Sequence, residues 1–223
     1  MNSRIAQHKR SWKSLLELLF WAPVITFSLL LVKNTLPYFD FSPQFSFIRE
    51  RILLYSDPIW KTSFYIHIGA GIFCILTAII QFSSYILRKR SQIHVVSGKI
   101  YVFVVLLIGA PSGLYMSFFA KGEMTERGLF IFMAVAWFVT TYKGFNAAVT
   151  KKFIAHRGWM IRSYALALTA VTFRVYHILF YLGGADHVYN YEISLWLSVV
   201  GNLLIAELII YSKAKSYLKT FNQ

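Results

Sequence analysis

Six apolar runs alternate with short polar stretches along the 223 residues, and each run is long enough to cross a hydrocarbon core of roughly 30 Å. They predict membrane-spanning helices at about residues 15–32, 62–87, 95–119, 128–149, 158–182 and 193–212. Pro23 predicts a kink in the first span, and Gly109, Pro111 and Gly113 predict a bend in the third. The connection over residues 33–61 holds Pro37, Pro43 and Pro58. Its middle places Phe45, Ile48, Ile52 and Tyr55 at helical spacing around Arg49, Glu50 and Arg51, which reads as a short interfacial helix or an exposed loop. The remaining loops are short, so consecutive spans should be antiparallel neighbours in one all-α, six-helix transmembrane bundle covering residues 1–223.

The start of the chain, MNSRIAQHKRSWK, is basic and precedes an apolar run, as in a secretion signal. No small-residue cleavage pattern follows that run, so it reads as a retained first span.

Composition agrees with a membrane location. Charged residues make up 14% of the chain, against about a quarter in soluble domains, and the mean hydropathy is +0.54. The net charge of +14 does not point to nucleic acid, because 16 of the 23 Lys and Arg residues fall on one face of the predicted bundle. That asymmetry predicts both termini in the cytoplasm, with the basic loops against the lipid headgroups of the bilayer. The lone cysteine, Cys74, sits within an apolar run and reads as a packing residue.

Four of the six histidines share two depths. His67 lies five residues inside the outer end of the second span, and His177 five residues short of the outer end of the fifth. Both are about 8 Å below the outer boundary. His94 and His156 sit at the inner boundary, while His8 and His187 fall in flanking polar segments. Two imidazoles on different helices at one depth are the ligand set for haem b in a membrane bundle. On this reading His67 and His177 ligate the iron of an outer haem, and His94 and His156 ligate an inner one. Arg174 and Arg162 pair with propionates, and electrons pass to or from a quinol or another small redox partner. One spacing opposes the inner site: His156 and His177 are 21 residues apart, about 32 Å along a continuous helix, so either His156 folds back from its loop or the inner pair binds no haem.

The alternative reading is non-enzymatic. Arg162, Arg174, Lys143 and Gln81 then form a polar, cationic face that binds or transports an anionic lipid or solute. A third reading leaves the histidines as helix-end hydrogen-bonding groups in a scaffold. The chain has no HExxH, GxSxG or GxGxxG motif, so no catalytic residue is assigned. Nothing in the sequence fixes an oligomeric state.

Four segments carry a resemblance. They are HIGAGIFCILTAIIQF, RKRSQIHVVSGKIYV, the loop AKGE, and HRGWMIRSYALALTAVTFRVY. In this order they resemble the bacterial predicted membrane proteins grouped as domain of unknown function 2306, over about residues 62–182. The resemblance implies the topology and singles out His67, Gln81, His94, Gly98, Tyr101, His156, Trp159, Met160, Arg162 and Arg174; it supplies no reaction. The layout is more loosely similar to two-haem transmembrane cytochromes b. Those carry ligands on four consecutive helices, whereas here the fourth span has no histidine and the fifth carries two.

Overall fold

The computed structural model describes residues 19 and 21–221, and among these every regular element is helical. Helix α1 covers residues 21–35; the earlier part of the first predicted span lies outside the described residues. A 3₁₀ turn, Leu36–Asp40, follows. Two one-turn helices come next, α2 (Ser46–Arg49) and α3 (Ile52–Tyr55). They stand where a short interfacial helix or an exposed loop was expected. Phe45, Ile48 and Tyr55 face the bundle, while Ile52 is exposed.

The long helices are α4 (Pro58–Gln81), α6 (Ser91–Ser117) and α7 (Met124–Val149). The six-residue α5 (Ser84–Lys89) separates α4 from α6. Helices α8 (Phe153–Ala167) and α9 (Thr169–Leu182) form a pair, and α10 runs from His187 to Phe221. Four of the described helices are long and apolar enough to cross a membrane, or five if α8 and α9 count as one broken span.

Local chemistry explains where the helix ends depart from the expected ones. Helix α4 starts at Pro58, because the Asp57 side chain accepts from the Ile59 N–H and proline suits the first helical position. It stops at Gln81, and Ser83 caps the separate α5. Helix α7 begins four residues before Gly128 through a reciprocal capping box between Glu123 and Glu126. In α6 the expected bend appears as a π-helical turn over Val105–Gly109, which widens the ladder just before Pro111, where an N–H is missing.

The fifth span was expected to be one helix over residues 158–182. Instead α8 and α9 meet at 44° around Leu168. Neither Gly nor Pro is present there. Asn202 of α10 donates to the Ala165 carbonyl and to the Thr172 hydroxyl, each at 3.0 Å, so a side chain takes the place of a ladder bond.

The core runs along α4, α6, α7 and α8, with Cys74, Tyr101, Val105, Trp137 and Leu166 buried. A buried hydroxyl chain crosses it. Tyr101 Oη lies 2.8 Å from Ser163 Oγ, Thr141 Oγ1 lies 2.7 Å from that same oxygen, and Trp137 Nε1 donates to Tyr101 Oη. These bonds satisfy polar groups that have no water to turn to. A second, aromatic core covers one end of the bundle. There Ile48, Tyr55, Trp60, Phe64 and Tyr65 pack with Tyr38, Phe39 and Phe45. Among the described residues, polar ties hold the capping segment down: Arg51 donates to the Phe119 carbonyl at 2.5 Å, Lys121 pairs with Glu50 at 3.1 Å, and the Tyr55 and Tyr65 hydroxyls lie 3.2 Å apart. This is the capped end; the opposite one, with Arg88–Arg90 and Lys151–Lys152, is the basic end.

Candidate functional site

In the capped half, α4 brings His67 against α6. Its Nδ1 lies 3.0 Å from the Gly109 carbonyl and 3.2 Å from Ser112 Oγ. A carbonyl only accepts, so Nδ1 carries the proton and Nε2 keeps its lone pair. The small residues of the Gly-Ala-Pro-Ser-Gly run permit the approach. A Cβ on Gly113 would lie 2.8 Å from His67 Cε1, and one on Gly109 would lie 3.1 Å from the Trp137 ring. Gly113→Ala is therefore expected to push the imidazole off its carbonyl and cost about 1–3 kcal/mol. Melting curves of Gly113→Ala in wild-type and His67→Ala backgrounds check this, since the cost should vanish when the ring is absent.

His67 is enclosed by the bundle, yet part of its surface stays open to a water-sized probe. One turn along α4, a Cβ on Gly71 would meet nothing within 4 Å. The two observations mark an accessible strip along this face of α4.

Helices α4 and α9 meet where Ile75, Val171 and Leu31 of α1 pack together. Arg174 stands one turn beyond Val171, towards the capped end. Its Nη1 donates to the Ala170 carbonyl at 2.7 Å, and among the described residues it has no carboxylate partner. Tyr38 of the capping segment is close enough to feel this charge. Burial raises the Tyr38 phenol above its ordinary value, and Arg174 pulls it part of the way back. The Tyr38 ring in turn stacks on Phe45 at 4.5 Å and meets Phe64 edge-on at 5.8 Å.

His177 engages different neighbours from His67. Its ring stacks on Phe173 at 5.6 Å and lies 6.0 Å from that of His187, and its backbone carbonyl accepts from Asn190. Its Nδ1 is buried with no partner among the described residues. A haem b held between His67 and His177 is thus not supported: His67 is bonded to α6, whereas the His177 ring stacks on Phe173 of its own helix and lies beside His187.

At the basic end, His94 and His156 are near enough for the charge of one to act on the other. His156 Nδ1 lies 2.9 Å from the Gly144 carbonyl, while His94 Nδ1 is buried and unpartnered among the described residues. Gln81 ties α4 to the start of α6, donating to the His94 carbonyl at 2.9 Å and to Ser97 Oγ at 2.6 Å. A Cβ on Gly98 would touch this amide, and one on Gly144 would run into Met160 Sδ. Arg162 is already engaged. It makes a two-point ion pair with Glu207 at 2.5 and 2.7 Å, and it sits over Trp159 with Lys143 also against that ring. The propionate role expected for Arg162 is taken by this carboxylate. Among the described residues, no group of three or more His, Cys, Asp or Glu could hold a metal ion.

Sequence reasoning missed Tyr38, His187 and the pairing role of Glu207. Glu207 did carry a signal, as the single carboxylate within the apolar part of the last span.

The model of the predicted membrane protein family DUF2306 matches residues 64–210. This chain belongs to the DUF2306 family. The match starts inside α4 and runs well into α10, beyond the limit of about 182 read from motifs, so the DUF2306 region includes Asn202 and Glu207. Helix α1 and the capping segment lie outside it. No curated protein and no solved structure matches the chain.

Proposed function

We propose that this DUF2306 protein is a multi-pass protein of the bacterial inner membrane that binds the anionic head of a lipid or amphipathic solute, with Arg174 as its anchor. The observation that carries the reading is an arginine on α9, at membrane depth in the capped half, whose side chain stays accessible at the bundle surface and, among the described residues, bonds only to a backbone carbonyl. A lone arginine at membrane depth costs about 2.5–3.5 kcal/mol on insertion scales. A carboxylate or phosphate offsets that cost through paired hydrogen bonds to the guanidinium fork. The accessible strip beside His67 and Gly71 leaves room for apolar atoms of the ligand to lie along α4. The lone pair on His67 Nε2 offers an acceptor for a hydroxyl.

In this reading the chain has six spans with cytoplasmic termini, so the capped end faces outward and the basic end inward. The Lys and Arg asymmetry supports that orientation.

The test is thermal melting of the purified full chain in a neutral detergent. Added phosphatidylglycerol should raise the midpoint of wild type more than phosphatidylcholine does. Arg174→Gln should lose the difference, and Arg174→Lys should keep part of it, because a lysine retains charge without the fork. Equal responses in wild type and Arg174→Gln would sink the proposal. A Soret band in the purified protein that disappears in His67→Ala would replace it with the haem b reading.

A further inference from the structure

The turn between α9 and α10 brings together two imidazoles that the proposed anion site does not use. Asp186 caps α10 by accepting from the Val188 N–H at 2.9 Å, which fixes His187 as its first residue. The preceding Gly184 has φ of 79°, a left-handed conformation suited to glycine, and it turns the chain back on itself. His187 thereby comes over His177, one residue from each helix, with ring centroids 6.0 Å apart and planes tilted by 58°.

We propose that His177 and His187 form a transition-metal site at the capped end, taking Zn²⁺ or Cu⁺. The spacing fits. A metal–nitrogen bond of about 2.0 Å places each ring centroid about 3.2 Å from the ion. Two rings then stand about 5.2 Å apart at a tetrahedral angle and about 6.4 Å apart in a linear arrangement. The observed separation falls between these.

A second observation points the same way. His177 Nδ1 is buried and has no partner among the described residues, and a buried polar atom in that state calls for an ion or a water. The donor set is two imidazoles without a carboxylate, which suits zinc and copper rather than magnesium or calcium. Lys121, a cation acting on His177, is itself paired with Glu50. His187 is exposed, so an ion has a path in. A bound ion would staple the end of α9 to the start of α10 across the Gly183–Gly184 turn, leaving its other positions to water.

The experiment is calorimetric titration of the full-length, EDTA-treated protein in detergent with Zn²⁺, repeated with Cu⁺ under reducing, anaerobic conditions. A saturable site is expected, weakened about tenfold or more in His187→Ala. The His94→Ala/His156→Ala double variant should keep that site, which separates it from any binding at the basic end. His187 is exposed, so its replacement should leave the fold intact, and an unchanged metal-free melting midpoint verifies this. Metal binding in His187→Ala equal to wild type would overturn the proposal, as would the absence of saturable binding to wild type by either ion.

Discussion

Replacing Trp60 by alanine is expected to destabilise the protein by about 3–5 kcal/mol, the range for emptying a large aromatic site in a packed core. Trp60 is only 1% exposed. Its ring stacks on Phe64 at 5.5 Å with the planes 4° apart, and on Phe47 at 6.5 Å. It is therefore the joint between the first turn of α4 and the capping segment. Truncation leaves a void that the neighbouring rings fill only in part, because Phe64 is also held by Tyr38 and Tyr65. The loss should be local as well as global, with faster hydrogen exchange over residues 45–57 than over α7. Trp60→Phe, which keeps a ring, should recover much of the stability. Denaturation in detergent showing a loss below about 1 kcal/mol for Trp60→Ala would contradict this account of the capped end.

The second large effect is at the other end. Glu207→Ala is expected to cost about 2–3 kcal/mol, since it strands the Arg162 guanidinium among apolar helices, where insertion scales place that penalty for a lone charge. The pair is held at two points, between residues 45 apart in sequence, so its loss also weakens the hold of α10 on α8, leaving the Asn202 bond to the Ala165 carbonyl. Replacing both residues by leucine should cost much less than the single change, because the expense lies in the uncompensated charge rather than in the missing bond. A double-mutant cycle measures this directly. Additive losses would show that the pair does not act as a unit.

The apolar runs made the long helices legible, and the glycines at 98, 109, 113 and 144 turned out to mark close approaches between elements. What escaped the sequence was rotation about each helix axis. His67 and His177 were paired because they share a depth, but depth is one coordinate. The bearing of His67 is set by the small-residue notch on α6, and that of His177 by the turn that brings α10 back over α9. The break at Leu168 was hidden for a related reason: its cause is Asn202, more than thirty residues away, and no local glycine or proline announces it. The helix starts at Pro58 and Met124 were readable in retrospect from Asp57 and from the Glu123–Glu126 pair. Windows of hydropathy ignore such caps.

The central claim is that Arg174 holds an anion in the capped half of the bundle. Native mass spectrometry of the full-length protein, released gently from detergent, tests it most directly. Wild type should carry an added mass that fragments to an acidic lipid or other amphipathic anion, and Arg174→Gln, at equal thermal stability, should be released without it. An identical adduct on both proteins, or no adduct on wild type supplied with acidic lipid, would contradict the claim.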